Sequence, residues 1–252
     1  MSNKVLVNTK YGEIYVMKND IIGMEILSGK YHEEEIVCML SRYTRGGVVL
    51  DVGSNIGSTS LGLLSLDKDC KIYSFEPQLY LAEMQMETVA KNKYLNRVTL
   101  YNTAVGNKCK KGITLSGNFN MIDSLEGVER EIKYDDSQVR NYGGVNIGDG
   151  GEKVDMVSLD YILKKDELGE VSLIKIDVEG AESLVIYGGR ELIKKYKPVI
   201  FYEDNWKKIT DEMALVLNLS EEERKFDISV FLKSVGYKYC MKVDDNWLWV
   251  YE

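Results

Sequence analysis

Histidine, proline and cysteine are scarce in this chain of 252 residues, and each scarcity narrows the function. His32 is the single histidine, so a metal site built from imidazole clusters is excluded and oxygen donors are left. Cys38, Cys70, Cys109 and Cys240 show no C-x-x-C spacing, which points to reduced thiols rather than a zinc ribbon or a disulfide framework. The two prolines, Pro77 and Pro198, stand where strands end or begin. Positive charge is also short: the formal net charge of −8 removes the Lys/Arg excess that nucleic acid or an anionic membrane surface demands. No run of about 18 apolar residues occurs, and the opening MSNKVLVNTKYGEIYVMKND lacks the apolar core of a signal peptide, so a cytoplasmic protein is expected.

With 44% apolar residues the chain can bury a sizeable core as one domain. Val5, Val7, Ile14 and Val16 alternate around Tyr11-Gly12 as a hairpin, an edge or lid element, and residues 33–43 carry apolar positions at helical spacing. The apolar run 47–52 reads as a parallel strand covered on both faces. Helix 57–66, strand 71–75, a helix with Leu79, Ala82, Met86, Val89 and Ala90 on one face, and strand 98–101 continue the alternation. Strand 171–177, helix 181–187, strand 198–203, helix 227–235 and a hairpin around Asp244-Asp245-Asn246 complete it. The expected fold is α/β: a doubly wound, mostly parallel sheet with an antiparallel C-terminal hairpin edge and an N-terminal hairpin–helix extension. Residues 1–45 form that extension, and 46–252 the main domain with an Asn-, Asp- and Gly-rich insertion, partly mobile, at about 106–152.

Ligands of such sheets bind outside the carboxyl ends of the strands. There, Asp51-Val52-Gly53-Ser54-Asn55-Ile56-Gly57 removes Cβ atoms at two positions and leads into a helix N-terminus, which suits a small carboxylate-bearing ligand. Its G-x-x-x-G spacing differs from the G-x-G-x-x-G that admits a pyrophosphate, and the bland alternative is a tight strand-to-helix turn. Glu76, held extended by Pro77, lies where an acidic residue meets a ribose in nucleoside-binding sheets. Lys175-Ile176-Asp177-Val178-Glu179-Gly180-Ala181-Glu182 puts Asp177 and Glu179 at the next strand end. These acids can offset a cation, orient an amine or act as general base, with Lys175 keeping one ionised; Glu182 fits a helix-start role better.

Through DVGSNIGSTSL at 51–61, FEP at 75–77, KIDVEGAE at 175–182 and KPVIFYE at 197–203, the chain resembles the FkbM family of methyltransferases. The resemblance covers roughly residues 46–205 and reaches upstream to Ser28-Gly29-Lys30-Tyr31-His32-Glu33. It implies a class I methyltransferase fold with a Rossmann-like seven-stranded sheet, S-adenosyl-L-methionine as methyl donor, and a hydroxyl acceptor on a sugar, glycan or similar small molecule. Carried onto this chain, the cofactor residues are Asp51, Gly53, Ser54, Asn55, Ile56, Gly57, Glu76, Pro77, Ala104 and Asp177. Asp177, Glu179 and Lys175 form the reaction centre, and Tyr31, His32, Asn141, Tyr142, Gly143, Gly144 and Glu203 face the acceptor. Ser54, Ser58 and Gln78 depart from the family pattern and put cofactor details in question.

A metal could be held by Asp177, Glu179, Glu203 and Asp204, with structural ion pairing the favoured reading. His32 reads more simply as a surface or capping residue than as a base. A nicotinamide-dependent oxidoreductase is the runner-up, because Tyr161 and Lys165 match the Tyr-x-x-x-Lys of short-chain reductases, though ahead of the wrong strand. A third reading is an inactive interaction module using Tyr142, Trp206, Trp247 and Trp249 as contacts. Base methylation lacks its Asn-Pro-Pro-Tyr segment, and assembly as a homo-oligomer is left open.

Overall fold

The computed structural model describes residues 3–116, 141–204 and 209–251. The chain opens with the hairpin β1 (Lys4–Thr9) and β2 (Gly12–Met17), then helices α1 (Ile21–Leu27) and α2 (Glu34–Thr44). The alternation follows: β3 (Val48–Val52), α3 (Ser58–Leu66), β4 (Lys71–Phe75), α4 (Leu79–Lys91), β5 (Val98–Tyr101). Next come β6 (Ala104–Val105), β7 (Lys110–Ser116), β8 (Gly150–Val157), α5 (Leu159–Lys165), β9 (Val171–Ile176), α6 (Glu182–Tyr187), α7 (Arg190–Tyr196) and β10 (Val199–Glu203). Helices α8 (Asp211–Leu217), α9 (Glu221–Arg224) and α10 (Ile228–Ser234) precede the closing hairpin β11 (Tyr237–Val243) and β12 (Asn246–Tyr251).

Seven strands form the main sheet in the order β11-β12-β10-β9-β3-β4-β5. The pairings among β10, β9, β3, β4 and β5 are parallel, and β12 runs antiparallel to both β10 and β11. The expected α/β, doubly wound sheet with its hairpin edge is therefore present. Side-chain alternation between two covered faces explains why β3 is buried throughout: Leu50 and Val52 pack with Ile174 and Ile176 on one face, and Val49 packs with Ile72, Leu173 and Phe201 on the other. Each such burial contributes roughly 1.5–3 kcal/mol. Because β4 and β9 flank β3 and their connections leave in opposite directions, a crevice opens above its carboxyl end.

Several expectations are corrected. On α4 the buried residues are Leu81, Ala82, Met84, Gln85, Thr88 and Val89, while Leu79 is exposed. The apolar pattern misleads because Gln85 and Thr88 are buried through hydrogen bonds, Gln85 to Ser54 and Ser74 and Thr88 to the Tyr15 amide. The insertion builds a second sheet, β6-β8-β7, whose Ile113, Leu115, Val154 and Met156 pack against Met213 and Leu217 of α8. The middle of the insertion, expected to be partly mobile, and Trp206 lie outside the described residues.

The N-terminal hairpin is a two-stranded sheet of its own, not an added edge strand. Ile14 and Val16 are buried with Leu61, Leu81 and Met84, and the Asn92 side chain bonds both backbone groups of Glu13. No helix among the described residues is long and apolar enough to cross a membrane.

Candidate active site

At the carboxyl end of β3 the chain turns with Gly53 at φ +76°, and a Cβ there would lie 1.8 Å from the Asp177 carbonyl oxygen. The turn after β3 therefore passes directly over the end of β9, which only glycine permits. Asn55 follows, also left-handed at φ 51°, and its amide donates to Glu76 Oε2 at 2.9 Å. Glu76 Oε1 accepts the Gln78 amide at 2.9 Å. Burial pushes the Glu76 carboxyl up to about 7, and the Gln78 and Asn55 amides oppose that rise. With one N–H on each oxygen, both oxygens of this cleft-lining carboxylate keep further acceptor capacity, an acceptor pair that two ribose hydroxyls can match by donating.

Lys175 stands beneath this turn, and its ammonium is 3.0 Å from Asp177 Oδ2, 3.3 Å from the Gly53 carbonyl and 3.9 Å from Asp51 Oδ1. Burial alone would lower its pKa, but the charges of Asp177, Asp51 and Glu33 outweigh that and raise it, so the side chain is a cation. Asp51 is fully buried, accepts from Ser60 and has its pKa raised by burial against the pull of Lys175. Glu182 Oε1 accepts the amides of Val178 and Gly180 and braces the loop that carries Glu179, itself at φ 56°. Burial pushes Glu182 up to about 7.

A cleft of about 280 Å³ opens here, near the lower bound for small-molecule sites. Gly53, Asn55, Glu76, Pro77, Ala104, Asp177, Glu179, His32, Asn141, Gly143 and Glu203 line it. Carboxylate oxygens of Asp177, Glu179 and Glu203 lie within 4.8 Å of one another. His32 Nδ1 is 2.7 Å from Glu25 Oε2, and neighbouring Glu33 is left-handed at φ 51°. Glu33, Asn55 and Glu179, all on the cleft wall, thus hold a backbone conformation that non-glycine residues rarely adopt.

Other expected residues are placed elsewhere. Asp51 points to the α3 side of β3, away from the cleft, because successive residues of a strand face opposite ways. The Ser54 hydroxyl donates to Gln85, Ile56 is in the apolar cluster under the hairpin, and a Cβ on Gly57 would meet the Gln85 side chain at 2.6 Å. Ser54, Ile56 and Gly57 therefore shape the turn from below. Tyr31 is buried, its hydroxyl donating to the Ser58 carbonyl at 2.6 Å, and the Tyr142 ring is buried in the same cluster. Neither Gly144 nor Lys175 lines the cleft. Tyr161 and Lys165 sit on α5, outside the cleft, and Trp249 is a core residue, so neither rival reading gains support.

Sequence reasoning missed Ile21 and Ile22 of α1, together with Phe75, Gln78, Thr103, Val145 and Ile147. The pair Asp20-Ile21 was a legible signal, a capping residue followed by an apolar helix start, since Asp20 accepts the Gly23 amide.

Residues 51–239 match the family model described as "Methyltransferase FkbM domain". The 2-O-methyltransferase NoeI of Sinorhizobium fredii (strain NBRC 101917 / NGR234) is 30% identical over 149 residues, 59% of this chain and 59% of that protein. The chain thus spans under two thirds of that curated relative. Among solved structures, Methyltransferase FkbM from Methylobacillus flagellatus KT shares 16% identity over 81% of this chain and 43% of its own, with a TM-score of 0.49. A putative caffeoyl-CoA O-methyltransferase from Staphylococcus aureus shares 10% identity over 90% and 88%, also at 0.49. The family match covers most of the chain, including the glycine turn, the Glu76 carboxylate and the Asp177–Glu179 loop: the chain belongs to the FkbM family of S-adenosylmethionine-dependent methyltransferases.

Proposed function

We propose that the chain transfers the methyl group of S-adenosylmethionine to a hydroxyl on a sugar, glycan or similar small molecule. One observation carries this reading: a single cleft has a ribose-type carboxylate, Glu76, on one wall and the three acids Asp177, Glu179 and Glu203 on another. The 2-O-methyltransferase NoeI, similar over 59% of the chain, supports a hydroxyl acceptor.

When bound, the donor supplies an electrophilic methyl on a cationic sulfur. The chain's own residues do the rest. Glu76 anchors the nucleoside, and Lys175 holds Asp177 in place by pairing with it. Asp177 or Glu179 would take the proton of the acceptor hydroxyl as the methyl group passes from the donor sulfur to the hydroxyl oxygen, a general-base role worth typically 10²–10⁴-fold. Alignment of the acceptor oxygen with the sulfur–methyl axis supplies most of the remaining acceleration.

The test is transfer from methyl-tritiated donor to a panel of glycosides and to cell-extract glycans, with the product read by NMR. An O-linked methyl on a carbohydrate or similar alcohol supports the proposal. Label found only on nitrogen, sulfur or protein contradicts it.

A further inference from the structure

Two segments outside the strand–helix core roof the cleft: α1, through Ile21 and Ile22, and the stretch that carries Asn141 and Gly143. Asp20 joins them. Its carboxylate caps α1 by accepting the Gly23 amide at 3.2 Å, and its other oxygen accepts the Tyr142 amide, also at 3.2 Å, from 122 residues away in sequence. A cap needs one oxygen only, so the second serves a tertiary purpose.

The Tyr142 carbonyl is fastened as well, by Gln78 Nε2 at 2.8 Å. The residue is thus held from α1 on its amide side and from the loop after Glu76 on its carbonyl side. Gly143 follows directly and presses on the glycine turn: a Cβ there would lie 3.0 Å from Asn55 Nδ2. Asp20 itself is 2% exposed and lines no part of the cleft, so its effect on a ligand runs through the roof. Burial raises its carboxyl, consistent with a group kept from water behind that roof.

We propose that Asp20 is a positioning residue for the cofactor, a clasp that ties α1 to the Tyr142 peptide and holds the roof closed over S-adenosylmethionine. The inference rests on the reading that this cleft takes the cofactor. Its consequence is kinetic. Loss of the clasp opens the exit, so release quickens while entry is little changed.

The test measures S-adenosylhomocysteine association and dissociation on the full chain by stopped-flow or surface methods. Asp20→Ala is expected to release the ligand roughly ten- to a hundredfold faster, the range for a lost hydrogen bond to a charged acceptor, with association within about twofold of the parent. Asp20→Asn, which keeps one carbonyl acceptor, is expected between the two. Gln78→Ala should also speed release, and its effect should combine less than additively with Asp20→Asn because both side chains hold one peptide.

A purely structural role would lower the melting temperature and the fraction able to bind, but leave the release rate of that fraction unchanged. Release at the parental rate in the Asp20 variants that fold overturns the proposal. Should Asp20→Ala fail to fold, Asp20→Asn and Gln78→Ala decide it on the same criterion. Parent protein that binds no S-adenosylhomocysteine contradicts the cofactor reading instead, so the two failures are distinguishable.

Discussion

Substituting Glu76 with Gln separates two opposite effects of pH. In the ligand-free protein burial holds the Glu76 carboxyl at about 7, above its ordinary 4.5. A carboxyl raised on folding contributes stability that is fully present below the unfolded value and lost as pH rises through the folded one. From this residue alone, the free protein should be more stable at pH 6 than at pH 8 by about 1 kcal/mol. Ligand binding has the reverse sign, because ribose hydroxyls donate to the carboxylate and not to the acid. S-adenosylhomocysteine affinity should therefore be about tenfold weaker at pH 6 than at pH 8.

The Gln variant removes the Glu76 part of both slopes. At pH 8 it should bind roughly ten- to a hundredfold more weakly than the parent, because its amide nitrogen opposes the Asn55 or Gln78 N–H where a charged oxygen accepted it. Calorimetric titration at pH 6, 7 and 8, with urea unfolding at the same values, measures both slopes. His32→Gln under the same titration separates Glu76 from the imidazole on the cleft wall. Subtracting the Glu76→Gln slope from that of the parent removes contributions shared with Glu182. Affinity that is level from pH 6 to pH 8 in the parent would refute the reasoning.

Gly53→Ala forces a Cβ to within 1.8 Å of the Asp177 carbonyl at a left-handed φ, so it should cost about 3 kcal/mol by urea unfolding and abolish S-adenosylhomocysteine binding by calorimetry. Lys175→Met leaves the buried Asp51 without its cation and should destabilise by roughly 3–5 kcal/mol, part of which Asp51→Asn restores in the double variant. Tyr31→Phe removes only a buried hydroxyl bond to the Ser58 carbonyl. It should cost about 1 kcal/mol in stability and leave S-adenosylhomocysteine affinity unchanged; a large loss of affinity would contradict the purely structural placement of Tyr31. Asp177→Asn should lower methyl transfer by about 10²-fold or more in a single-turnover assay, whereas transfer near the parental rate would move the base to Glu179.

Local pattern made the main sheet legible. The largely apolar runs of β3, β9 and β10 and the glycine turn after β3 locate the crevice from sequence, because period and turn chemistry are local properties. The orientation of single residues was harder to read. Asp51 belongs to the same motif as Gly53, yet a strand alternates its side chains, and Asp51 turns under the sheet to Ser60 and Lys175.

The roof was the least legible part. Nothing in the local sequence at Tyr142 reveals that its amide is accepted by Asp20, since that bond spans 122 residues. Tyr31 and Tyr142 were placed at the acceptor by the family resemblance, but their rings fill the space under the N-terminal hairpin. Gln85 and Thr88 escaped a search for apolar faces because hydrogen bonds, not hydrophobicity, bury them.

A structure of the protein crystallised with S-adenosylhomocysteine tests the central claim most directly. The account predicts both ribose hydroxyls on the Glu76 carboxylate, the glycine turn at Gly53 against the ligand, and the sulfur facing Asp177, Glu179 and Glu203. Ligand bound elsewhere, or in this cleft with its ribose away from Glu76, would contradict it.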